Sequence, residues 1–171
     1  MTAVGADTFE VYSDGRDVHD AFRTAVDAVA WEHGHGGYTG TIAEKSEFVI
    51  ITKRAMSYDD ATRMADDLLN RDDSRVADKW GPAGAIPVKK PTRTVRLDNL
   101  PARALTGRPS EHVAEMSRIA RDRQLVTDAE TVTKGDRLTS DSFSLTVTKD
   151  PAVTAAQTEP DGWLFFGWAS S

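Results

Sequence analysis

The chain has 171 residues, 39% of them hydrophobic, and a formal net charge of −6. That size and composition predict one domain over residues 1–171, able to bury roughly 70% of its unfolded surface without a metal or disulfide staple. The absence of cysteine excludes disulfides, thiolate metal sites, iron–sulfur clusters and a cysteine nucleophile, and the acidic balance argues against sequence-specific or whole-surface binding of nucleic acid.

Residues 1–15 lack the basic region and apolar core of a signal peptide. No apolar run approaches the ~20 residues that span a bilayer, so a cytoplasmic protein without a membrane partner is expected. "TFEVY", Thr8 to Tyr12, alternates as a half-buried strand does, and Ser13, Asp14 and Gly15 read as a turn and helix cap. Val18, Phe22, Ala25, Val26, Val29 and Ala30 then recur at helical spacing, with Arg16, Asp20, Arg23 and Asp27 off the stripe. That helix is expected to end at His33 and Gly34.

A glycine-rich segment follows, "HGHGGYTGTIAEK", His33 to Lys45. Gly34 sits where a helix terminus calls for a left-handed residue, which glycine adopts at least cost. That account leaves Gly36, Gly37 and Gly40 unexplained. Phosphate-cradling loops precede a helix, so that its positive end faces the anion, whereas this loop follows one. It matches neither the Walker pattern nor the dinucleotide fingerprint. Its backbone amides could still form an anion-binding nest assisted by Thr39, Thr41 and Lys45, with Tyr38 stacking on a planar ring. A purely structural loop is the competing reading.

His33 and His35 could share a metal with Glu32, Glu44, His19 or His112, but no "HExxH" pattern is present and neither a metal nor a cofactor is expected. No "GxSxG" elbow marks a nucleophile. Glu44 beside Lys45 would act as an acid–base pair only if one were buried at a pocket.

"SEFVIITK" reads as a mostly buried strand, and Ser57 with Asp60 as the cap of a second helix carrying Ala61, Met64, Ala65, Leu68 and Leu69 on one stripe. "GAIPV" is expected to be a short strand pushed to a sheet edge by Pro87. From Lys89 to Arg123 there are nine Lys or Arg against four Asp or Glu, a balance of +5 that leaves −11 for the remainder (−6 − 5). This segment, 89–123, is expected to be a basic insertion, either a solvated strand and helix or a patch facing an anionic ligand or acidic partner. Within it Pro109 and Ser110 start a third helix. "DSFSLTVTK" is a strand, "DPAVTAAQTEPDG" a loop, and "WLFFGWA" a last aromatic strand. The fold expected is α+β, a mostly antiparallel or mixed sheet with about three helices packed on one face. Trp80, Trp163 and Trp168 either finish the core or wall a pocket with Tyr38.

"HGHGGYTGTIAEK" and "DKWGPAGAI" together resemble small uncharacterised proteins of bacteriophages infecting actinobacteria, over about the first half of the chain. The resemblance implies a phage-encoded protein acting in the host cytoplasm, where small α+β proteins interfere with host processes, including defence systems that signal through modified nucleotides. The leading expectation is therefore a non-enzymatic protein that captures a small anionic nucleotide-like ligand. Gly36, Gly37, Tyr38, Thr39, Thr41, Lys45 and Trp80 would line its site, with Arg93 and Arg96 supplying charge. The alternatives are a small hydrolase on the same ligand class, using His33, His35 or Glu44, and a module that inhibits a host protein through residues 89–123.

Overall fold

The computed structural model describes residues 5–33, 40–101 and 109–170. The chain forms two compact units, residues 1–89 with 157–171, and residues 90–156. The second unit begins at Lys90 and runs to Ala156, because the strands that complete its sheet lie downstream of its helix.

In the first unit, β1 (Ala6–Asp14), β2 (Phe48–Ile50), β3 (Ala83–Val88) and β7 (Gly162–Ser170) form a mixed sheet in the order β1-β7-β3-β2. β7 runs antiparallel to both its neighbours, and β2 and β3 are parallel. Helix α1 (Val18–His33) links β1 to the glycine segment, and α2 (Tyr58–Asn70) crosses from β2 to β3. Asp17, rather than the residues before it, caps α1, its carboxylate accepting from the Asp20 amide at 2.9 Å. Ser57 caps α2 as its spacing predicts, accepting from the Asp60 amide at 3.2 Å.

The helices do not share a face. Trp163, Phe165 and Ala169 of β7 pack with Ala21, Phe22 and Ala25 of α1. The intervening Leu164 and Phe166 pack with Ala61, Ala65, Leu68 and Leu69 of α2. Side chains alternate along a strand, so the uninterrupted apolar run of β7 needs cover on both sides, and the expectation of helices on one face is corrected here.

Pro87 is a second correction, since β3 lies inside the sheet. Its carbonyl accepts from the Met56 amide at 3.2 Å, on the side where β2 has already ended at Ile50. The missing proline N–H therefore falls where no strand is present to receive it.

In the second unit, β4 (Thr92–Leu97), β5 (Glu130–Arg137) and β6 (Phe143–Lys149) make an antiparallel sheet in the order β4-β6-β5. Helix α3 (Pro109–Asp122) covers one face through Met116, Ile119 and Ala120, which meet Val95, Leu97, Phe143, Leu145 and Val147. The short helix α4 (Pro151–Ala156), read from the sequence as loop, buries no residue and is capped by Asp150, whose carboxylate accepts from the Ala152 amide.

Candidate ligand-binding groove

Four residues at the exit of the glycine segment are fixed by the fold. Gly40 has φ +69°, a backbone angle that strains any residue with a β-carbon. Its amide donates to the Ser170 carbonyl at 2.7 Å and to the Glu44 carboxylate at 2.8 Å. The other Glu44 oxygen accepts from the Ser170 hydroxyl. Thr41 caps the single 3₁₀ turn Ile42–Glu44, its hydroxyl accepting from the Ala43 amide at 3.3 Å. The turn drives Ile42 into the core, where it is wholly buried.

Lys45 turns inward as well. Its ammonium donates to the carbonyls of Asp78 (3.4 Å), Lys79 (2.9 Å) and Gly81 (2.8 Å), and only 5% of the residue is exposed. An ammonium has three protons, and three carbonyls receive them. Burial lowers the Lys45 pKa, against the opposing pull of Asp78 and Glu44. The loop so held is a tight turn, with the Trp80 amide donating to the Asp78 carboxylate at 2.8 Å. Trp80 itself stays 65% exposed, and the Lys79 ammonium lies 5.4 Å from the centre of its ring.

The expected site residues therefore separate into three groups. Gly36, Gly37, Tyr38 and Thr39, with His35, lie outside the described residues. Lys45 reaches the turn that carries Trp80, but it serves there as a structural clamp whose charge is already engaged, and Thr41 caps the 3₁₀ turn. Arg93 and Arg96 sit on β4 of the second unit. Arg93 grips Glu130 with two bonds, at 2.6 and 2.9 Å, and Arg96 bonds Asp98 at 2.8 Å.

The other arginines of the basic segment that fall among the described residues are similarly occupied. Arg118 pairs with Glu115 and Asp122, and Arg121 with Asp128. Arg123 donates to the Asp98 and Asn99 carbonyls. Asp98, Glu115 and Asp122 are already counted in the +5 balance of residues 89–123, and Asp128 and Glu130, just beyond it, bring that balance to +3 (+5 − 2).

An open groove of about 580 Å³ runs instead between α1 and the chain that follows the glycine segment. It is lined by His19, Phe22, Arg23 and Val26 from α1, and by Lys45, Ser46, Glu47 and Phe48. The Phe48 ring is central. It lies 5.1 Å from the His19 ring, edge to face, and 5.1 Å from the Phe22 ring. Arg23 is 73% exposed, with Asp20 one turn back at 4.0 Å. The result is an aromatic floor with a cation, an imidazole, a hydroxyl and a carboxylate at its rim.

No protein-family model matches the chain, nor does any curated protein or solved structure. The groove must accordingly be read from its own chemistry. Sequence reasoning missed most of it, because Phe22 and Val26 count as core positions and Arg23 as a solvated one. The available signal was their adjacency on the border of the α1 stripe, where an apolar face meets polar residues.

His33 is the last residue of α1. Of the acids considered beside the two histidines, Glu44 is already bound by Gly40 and Ser170, which removes it from both the metal and the acid–base readings. Among the described residues, no cluster of three histidines or acids is placed to hold a metal ion, and no helix is long and apolar enough to cross a membrane.

Proposed function

We propose that this protein binds a small anionic nucleotide-like molecule without transforming it, and that the α1 groove is the seat. The observation carrying this reading is the set of rings of Phe48, His19 and Phe22, placed beside a solvent-facing arginine in one concave surface. A planar base packs against such rings, because aromatic contacts add about 0.5–1.5 kcal/mol beyond burial. Arg23 matches a phosphate, which its planar donor fork recognises better than a lysine does. Ser46 and Glu47 offer an acceptor and donor rim for the polar edge of a base.

The packing of His19 favours binding over turnover. His19 meets Phe48 in an edge-to-face contact, a packing role that needs no proton relay. Set in the phage context implied by the resemblance, capture of such a molecule would withdraw a host defence signal. Mass spectrometry of small molecules released on denaturing the purified protein tests the reading. A stoichiometric phosphorylated ring compound is expected, and incubation with the same compound should leave it chemically unchanged. A converted product would favour the hydrolase instead.

A further inference from the structure

β1 is a nine-residue strand at one end of the sheet order, paired with β7 on one side and, among the described residues, with no strand on the other. Unpaired edges are usually blunted by lysine, proline or a bulge. β1 has none of these, and its pairing with β7 runs unbroken from Ala6 to Asp14. What it carries is negative charge. Thr8, Glu10 and Asp14 are exposed and share the face that bears α2, and exposed Asp7 lies on the other face.

Asp66 of α2 stands beside Glu10, both acids. Partial burial, a hydrogen bond to Asp66 and repulsion from it together hold the Glu10 carboxyl up to about 7. Among the described residues, neither Glu10, Asp66, Asp7 nor Asp14 forms an ion pair. Two carboxyls thus stand together with no cation in an ion pair to either.

We infer that the β1 edge accepts an extended segment of another protein, with lysine or arginine at every second position, as a fifth strand of this sheet. Strand addition would satisfy the open backbone edge, and the alternating cations would lie over Glu10, Asp66 and Asp14. The intervening side chains would fall on the side of Phe9 and half-buried Val11, which favours apolar residues there. A second copy of this chain is disfavoured as occupant, since pairing β1 with itself sets acid against acid.

The test uses the full chain and a capped nine-residue peptide alternating lysine and valine. Two controls accompany it, one with glutamate for lysine and one with alternate backbone amides methylated. The lysine peptide should bind, slow hydrogen exchange at residues 6–14, and weaken as salt is raised. Both controls should bind at least tenfold more weakly. Glu10→Lys should reduce affinity tenfold or more. Asp66→Asn, on the exposed face of α2, should reduce it severalfold, guarding against a folding defect in the first variant. Equal binding of the methylated peptide, protection away from β1, no binding at millimolar peptide, or a peptide-free dimer that already protects β1 would each overturn the inference.

Discussion

The ammonium of Lys45 lies 2.8 Å from the carbonyl oxygen of Gly81, joining two sequence motifs that stand more than thirty residues apart. One motif ends a glycine-rich segment and the other is a tryptophan turn. Their relationship is structural: a buried cation collects three carbonyls, of which, among the described residues, only that of Asp78 has a second donor, the Gly81 amide at 2.9 Å. Replacing Lys45 with methionine keeps much of the volume and removes the ammonium donor from the Lys79 and Gly81 carbonyls. Stability should fall by about 2–3 kcal/mol in ligand-free protein, the usual penalty for stranded buried acceptors. Urea unfolding measures it. A variant as stable as the parent would mean that the lysine is held for binding rather than for folding.

Much of the frame was legible from periodicity, since α1, α2 and α3 follow their apolar stripes and β6 its strict alternation. Pro87 and β5 were misread or missed for identifiable reasons. Pro87 argues for an edge in any local reading, because only the endpoint of β2 shows that its missing N–H meets no strand. β5 escaped because "ETVTKGDR" is polar on nearly every position, its pairing supplied by the neighbouring β6 rather than by a hydrophobic face. The site was less legible than the fold. Lys45 is one residue in a polar run, and nothing local distinguishes a ligand-facing lysine from one that folds inward onto the turn Asp78–Gly81. The groove is built from α1 and from Ser46–Phe48, and its proximity is a tertiary fact.

Glu130 gives a pH-dependent prediction for the second unit. The Arg93 guanidinium, opposed by burial and helped by the Thr127 amide, holds its carboxyl down at about 2, from the usual 4.5. A carboxyl whose pKa is lower in the folded than the unfolded state adds stability above about 4.5 and loses it as pH falls towards about 2. Glu130→Gln should therefore destabilise at pH 7 by the order of 2 kcal/mol, allowing for solvent around the partly exposed arginine. The difference between variant and parent should shrink between pH 4.5 and 2. Parallel stability curves over that window would show that the pair does not act as described.

Gly84 tests the packing of the first unit. A β-carbon there would lie 2.5 Å from two ring atoms of Phe166 and 2.9 Å from a methyl of Val76, and β3 is central, so neither neighbour has open space to enter. Gly84→Ala should cost about 1–3 kcal/mol through overpacking, despite alanine's smaller backbone entropy. Thermal melting reads the effect, and an unchanged or raised midpoint would show that the two layers over β3 are looser than the contacts indicate.

Arg23 and the aromatic floor of the α1 groove are proposed to hold an anionic nucleotide-like ligand. The most direct measurement is thermal melting of the parent and Arg23→Glu proteins against a panel of nucleotides and cyclic nucleotides. Because Arg23 is exposed and its contact with Asp20 is a surface pair, the substitution should move the ligand-free midpoint little. At least one nucleotide should raise the midpoint of the parent protein, and the same compound should leave Arg23→Glu unshifted. Stabilisation of both proteins alike, or of neither by any compound in the panel, would contradict the account.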